Sequence, residues 1–432
     1  MKRIFALLLC LVLLLGCFSG CSSKKEEAVL KVGYGRASLV PEYAMPLQGY
    51  PGADSRWFDT VLDPIYATAI AFQDQDNNTV ILIQYDLSDC NHLGIIQGIN
   101  DLTEEFGLPK ENIVISATHT HSAPVNGQTA SMDDYLVTYW RKLLRQQTLA
   151  AGTEAMNSLL PAEVFGASTE TKNMNFVRHY RMDDGSISGD NFGHQHGSGY
   201  TPVKHMRDAD PELQLLRFKR QGGKDVVIAN FQTHPHRAGG GTKRDLTSDF
   251  IGPMTEYLEK NLDCHFAYFS GGSGDVDPSS RILNENITLN HVEQGEALGQ
   301  YAEIAFSQMK KMDASSVKFL DTTCTVECIT GGTKSIDRRI TVFSIGDVAF
   351  VNNDYEMFNA HGKYIKDNSP FEMTFVTTIG KSSTCYIPDA ATFAYEGIDS
   401  YEETMCTHPA GTGELLAEAF VSALKQIHPG EK

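Results

Sequence analysis

Hydrophobic residues between positions 28 and 428 follow two periods, and the two keep alternating. Short apolar runs of β type occupy residues 29–34, 67–72, 79–84 and 112–116. The second and third are joined across a polar turn at residues 74–78. Helical spacing of apolar positions marks residues 94–106, 133–159, 252–262, 292–310 and 413–427. Residues 213–218 and 225–231 predict a hairpin through Gln221-Gly222-Gly223. Residues 315–328, 339–351 and 372–378 supply further strands. Strands that alternate with helices imply an α/β layered fold. Some strands follow one another through short turns, so the sheets are expected to be mixed. Residues 171–212 carry little periodicity, a length of loop often tied to function. No linker, repeat or low-complexity block divides the chain, which predicts a single large domain over residues 29–430.

The first residues read differently. Lys2 and Arg3 precede an apolar run of twelve residues, Ile4 to Leu15, too short for a bilayer span. Leu14-Leu15-Gly16-Cys17 fits a bacterial lipobox, and Phe18-Ser19-Gly20-Cys21 fits it less well. The expectation is a signal peptide at residues 1–20 and a polar tether at 21–28. A lipid on Cys17 or Cys21 would anchor the chain to a bacterial membrane, outside the cytoplasm. Composition adds one exclusion. The 432 residues carry 36 Lys+Arg against 54 Asp+Glu, a net charge of -18. An acidic chain does not suit a nucleic-acid partner, because phosphate binding needs a basic surface. Cys90, Cys264, Cys324, Cys328, Cys385 and Cys406 lie beyond the leader, and their pairing does not follow from spacing.

Three segments carry candidate chemistry. Thr118-His119-Thr120-His121-Ser122 directly follows the strand at 112–116. Two imidazoles at i and i+2 on extended backbone face the same way and suit a transition metal, zinc above all. The arrangement recurs where Thr233-His234-Pro235-His236 follows the strand at 225–231. A catalytic zinc usually takes about three protein ligands, so these histidines alone leave the shell incomplete. The third segment is Ser270-Gly271-Gly272-Ser273-Gly274-Asp275-Val276-Asp277-Pro278. Its small residues permit a tight turn that presents Ser270 or Ser273, with Asp275 and Asp277 as a base or as partners of a ligating histidine. It contains no G-x-S-x-G elbow. Asp86 and Asp89, after the strand at 79–84, read as turn residues that are also able to face the site.

Taken in order, Thr118-His119-Thr120-His121-Ser122, Thr233-His234-Pro235 and Gly274-Asp275-Val276-Asp277-Pro278 resemble the neutral/alkaline, non-lysosomal ceramidase family. So do Gly33-Tyr34-Gly35-Arg36 and Asp210-Pro211-Glu212-Leu213. The resemblance covers the family's N-terminal catalytic domain and implies one zinc held by His119, His234, Glu356 and Tyr386. It places His121, Arg178 and Tyr401 in the active site, with Tyr395-Glu396 as the second choice for the Tyr-Glu pair. Two departures stand out. Asp277 occupies the position of the family's functional serine, and the family's C-terminal β-sandwich has no counterpart. The implied activity is zinc-dependent hydrolysis of an N-acyl type amide, on a small or lipid-like substrate other than ceramide itself. The alternatives are a lapsed, ligand-binding lipoprotein and an esterase or lactonase on the same metal site.

Overall fold

The computed structural model describes residues 30–430, apart from 51, 190–200, 240–242, 283–288, 382–384 and 396–399. The leader with Cys17 and Cys21, and also His194, His196 and Glu396, lie outside the described residues. Eight strands build the main path of the larger sheet: β1 (Leu30–Ser38), β2 (Tyr66–Gln73), β3 (Thr79–Tyr85), β4 (Ile113–Ala117), β5 (Leu160–Glu170), β6 (Glu212–Arg220), β7 (Asp225–Phe231) and β8 (Cys264–Ser270). Their spatial order is β8-β7-β6-β5-β1-β2-β3-β4, and Lys310–Met312 adds a ninth, short strand beside β5. Neighbours are antiparallel except β3 with β4 and β7 with β8. A second sheet runs β9 (Val317–Cys328), β10 (Lys334–Ile345), β11 (Val348–Asn352), β12 (Met373–Thr377).

Strand alternation explains the layering. On β2, Ala67, Ala69 and Ala71 face one way and Ile70 and Phe72 the other. The first set packs under helices α1 (Leu93–Phe106) and α2 (Asp134–Asn157), beside Trp140 and Leu144. The second set meets Phe343, Phe350 and Phe375 of the smaller sheet. Helices α3 (Ile251–Leu262) and α4 (His291–Ser307) cover β6 to β8 on the outer side. Helices α5 (Asn359–Asn368) and α6 (Thr412–Ile427) cover the smaller sheet through Ile365, Leu416 and Phe420. The result is helix, sheet, sheet, helix, a mixed α/β domain as expected. No helix among the described residues is long and apolar enough to cross a membrane. All six described cysteines carry free thiols.

Several elements depart from the sequence pattern. Residues 339–351 predict one strand, but Gly346 turns the chain and makes a hairpin of β10 and β11. Strand β5 is absent from the pattern because its residues, half-buried on both faces, do not alternate cleanly. The helix read at 292–310 stops at Ser307. Helix α5 also escapes the pattern, since only four of its ten residues are buried, Asn359, His361, Gly362 and Ile365, and of these only Ile365 is a large apolar residue. Residues 171–212 hold short strands, Phe176–Val177, His179–Met182, Ile187–Gly189 and Pro202–His205.

Gly33 and Gly35 have a packing reason. A Cβ on either would lie 1.8 and 2.2 Å from the backbone oxygens of Ala155 and Ala151, because α2 rides directly on β1. Gly35→Ala is expected to cost about 1–3 kcal/mol of stability. Gly127→Ala meets nothing within 4 Å and is the control. Thermal unfolding of the two variants checks this, and equal midpoints would refute the close approach.

Candidate metal centre

The four residues singled out as ligands come from strand ends of different sheets. Strand β4 delivers His119, and the chain there is held by bonds from Thr118 N to Tyr85 O (2.8 Å) and His119 N to Leu87 O (2.9 Å). His119 has φ of 69°, a left-handed conformation that costs a non-glycine residue about 1–2 kcal/mol. The i, i+2 histidines therefore do not meet by strand alternation, as extended backbone would have it. The kink at His119 brings the Nε2 atoms of His119 and His121 to 3.5 Å. Strand β7 delivers His234, whose N–H bonds Val276 O at 3.1 Å. Glu356 and Tyr386 are opposite each other in a two-residue parallel ladder, Glu356–Met357 with Tyr386–Ile387.

These side chains converge. Glu356 Oε2 lies 3.3 Å from Nε2 of His119 and 3.3 Å from Nε2 of His234. Ligating atoms of His119, His121 and His234 all lie within 4.8 Å of one another. Burial and the nearby Glu356 carboxylate raise the Tyr386 hydroxyl well above the ordinary phenol range. His119 Nδ1 faces Ser88 O at 2.6 Å and His234 Nδ1 faces Val276 O at 3.1 Å. A ring nitrogen facing a carbonyl must carry the proton, so both rings turn an unprotonated Nε2 inward when neutral. Burial lowers the His121 imidazole well below its ordinary range, with the neighbouring histidines adding to it. Burial raises the Glu356 carboxyl, but His119 and His234 outweigh it and hold the group well below the usual range.

A cation fits this donor set. His234 Nε2 and Glu356 Oε2 are buried, close and not aligned as a hydrogen bond, so each lacks a partner. Stranded lone pairs cost several kcal/mol unless something accepts them. Two or three imidazoles with a carboxylate and a phenol form a donor set that zinc accepts.

The other candidates surround the centre. Val276–Asp277 pairs with Phe176–Val177, which brings Arg178 beside Asp277 at 3.4 Å. Gly274 touches the ligand strand, since a Cβ there would lie 2.6 Å from Glu356 O. Asp277 also faces His236 Nε2 at 3.4 Å. Arg178 lies 5.7 Å over the Tyr386 ring, and the Tyr401 ring is 5.8 Å from the same tyrosine. Ser270 and Ser273 are buried rather than on an exposed turn. Asp275 accepts from Asn359 N at 2.7 Å and so fastens the start of α5. Sequence reasoning had Glu402 only as the neighbour of Tyr401 in the Tyr-Glu pair and missed that it is fully buried against Arg178 and His179. It also missed Arg56, whose guanidinium donates to His121 O at 3.2 Å. Asp89 takes bonds from Gln48 and Asn91, both at 2.9 Å.

Asp86 belongs elsewhere. It is buried at a cavity of about 670 Å³, lined also by Arg36, Tyr66 and α3. The histidine cluster does not line that cavity.

The fold and the site together define a class: a layered α/β protein with a buried cluster of metal-ligand type at its strand ends. That fold is the one found in the neutral ceramidases. The crystal structure of neutral ceramidase from Pseudomonas aeruginosa matches with a TM-score of 0.74 at 15% identity, over 94% of this chain and 76% of that one. A ceramidase complexed with C2 matches with a TM-score of 0.73, again at 15% identity and with the same coverage. A neutral ceramidase of Drosophila pseudoobscura pseudoobscura is 23% identical over 271 residues, which are 59% of this chain and 36% of the relative's length. No family model matches the chain.

The Asp86 carboxyl gives a pH prediction. Burial raises it to about 7, against bonds from Tyr66 N and Gln84 that pull it down. Between about pH 4 and about 7 the unfolded chain has released this proton and the folded chain keeps it. Stability is expected to fall as pH rises through that window. Asp86→Asn should flatten the fall in denaturant titrations from pH 4 to 8, and an unchanged slope would remove Asp86 as its cause.

Proposed function

We propose that the chain is a zinc-dependent hydrolase that cleaves an amide bond of N-acyl type. The observation that carries this reading is the buried Glu356 Oε2, 3.3 Å from the inward Nε2 atoms of both His119 and His234. The likeness to proteins named ceramidase supports it, since ceramide is itself an N-acyl amide. His119, His234, Glu356 and Tyr386 would hold the ion, with His121 in reach as a third imidazole. When bound, zinc supplies Lewis acidity that makes water a nucleophile at neutral pH and polarises a carbonyl.

The protein's own groups supply the rest. Arg178 spends Nε and Nη2 on Glu402 and Gly274 O. We therefore assign it to holding the site, and assign Tyr401 and His121 to the oxyanion of the tetrahedral intermediate, worth about 3 kcal/mol per donor. Asp277, beside His236, or His121 carries the proton to the leaving amine. The acidic chain and Asp277 favour a smaller, soluble amide over ceramide. In this reading the protein is held outside the cytoplasm by lipid on Cys17 or Cys21.

A second reading, ligand capture without turnover, rests on the motif resemblance that sets Asp277 at the family's serine position. An esterase or lactonase on the same site is the third. Panels of matched N-acyl amides and esters, with and without chelator, separate the three. Chelator-sensitive amide turnover is expected, and none on any substrate would favour capture. Purified protein is expected to hold about one zinc per chain. His119→Ala and Glu356→Ala should both lose it, and unchanged metal content in both would sink the ligand assignment. Tyr401→Phe should keep the metal and lower kcat by about 10²–10³. Wild-type kcat in that variant would exclude Tyr401 as the donor.

A further inference from the structure

Glu402 sits in an unusual place for a carboxylate. The five-residue helix Tyr401–Met405 lies at the surface, with Tyr401 at 40% exposure, yet Glu402 beside it is at 0%. A charge turned inward has lost its water and needs compensation. Glu402 Oε1 accepts from Arg178 Nη2 at 2.7 Å and Nε at 2.8 Å. Its Oε2 meets His179 Nε2 at 3.2 Å. These contacts hold the carboxyl at about 2, burial being more than offset by Arg178 and His179.

The same guanidinium reaches two further segments, Gly274 O at 2.7 Å and Asp277 Oδ1 at 3.4 Å. Its plane is thereby set from three sides while it lies over the Tyr386 ring. The carboxylate also fixes the position of the neighbouring residue. With Glu402 anchored inward, Tyr401 is carried to the rim, where its ring meets Tyr386. One buried carboxylate thus fixes both Arg178 and Tyr401 relative to the candidate metal centre.

We propose that Glu402 is a positioning residue of the hydrolytic site, acting through Arg178 and Tyr401 and never touching the substrate. This rests on the hydrolase reading above. It separates the chain's requirements: the metal ligands hold the ion without Glu402, whereas the groups facing the reacting carbonyl depend on it.

The test compares wild type, Glu402→Gln, Glu402→Asp, Arg178→Ala and the double variant Arg178→Ala/Glu402→Gln, all loaded with zinc. Readouts are zinc content, kcat and KM on a short N-acyl amide, and affinity for acetohydroxamate, a small zinc chelator that mimics a carbonyl. Glu402→Gln is expected to keep about one zinc per chain. Its KM should stay within about threefold, while kcat falls roughly tenfold to a hundredfold. Hydroxamate affinity should fall with it, and Glu402→Asp should recover part of both. In the double variant, Glu402→Gln should cost clearly less than it does in wild type, the remainder being the part that runs through Tyr401. Zinc loss, unchanged kcat and hydroxamate affinity, or additive losses in the double variant would overturn the proposal. If wild type cleaves no amide, the hydrolase reading falls alone, and hydroxamate affinity decides on Glu402. If Glu402→Gln does not fold, Glu402→Asp against wild type is judged by the same affinity and kcat.

Discussion

The buried meeting of Glu356 with His119 and His234 is the constraint on which the rest of the architecture depends. Three polar groups are withdrawn from water and turned toward one point, and protein hydrogen bonds do not satisfy them all. Such an arrangement is costly unless the surroundings hold it rigidly, and a cation would complete it. The surroundings do hold it. Carbonyls of Ser88 and Val276 fix the two rings, and the bond network from β3 fixes the left-handed turn at His119. The cost of that turn, and of stranding lone pairs, is small beside the packing of two sheets and three helix pairs' worth of apolar contact around it.

The layers explain why the ligands arrive from distant parts of the chain. The larger sheet contributes His119 and His234 from beyond β4 and β7. The smaller sheet side contributes Glu356, just after β11, and Tyr386, after β12. Asn230 and Asn352 tie the two together, since Asn230 bonds Val376 O at 3.0 Å and Asn352 bonds Ile115 O at 3.0 Å. Polar bonds at the sheet ends thus set the relative position of sheets whose middle is held by nonspecific apolar contact.

Much of this was legible in the residues themselves. Apolar runs ending in Thr-His marked strand termini, and period-2 patterning placed the buried strands. Glycines 33 and 35 could be read as motif positions, but their reason, the backbone of α2 lying on β1, is a tertiary fact. Strand β5 was hidden because a central strand with small and polar residues on both faces has no hydrophobic alternation. Glu402 was hidden for another reason. Its partner Arg178 is 224 positions away, and no local pattern reports a carboxylate that turns inward from a surface helix. Arg178 has Asp183 and Asp184 nearer in sequence, yet its ion-pair partners are the buried Glu402 and Asp277.

The ladder joining Glu356–Met357 to Tyr386–Ile387 has a kinetic side. A pairing of two residues per strand has little stability of its own. His119 and His234, by contrast, lie two and three residues past the ends of strands of the nine-stranded sheet. Half of the candidate cage therefore leans on a large sheet and half on a ladder of two rungs. An ion bound there would clamp the rungs shut, and its departure would wait on their parting. The residence time of such an ion would then depend on the opening of a small piece of backbone as well as on its ligand bonds.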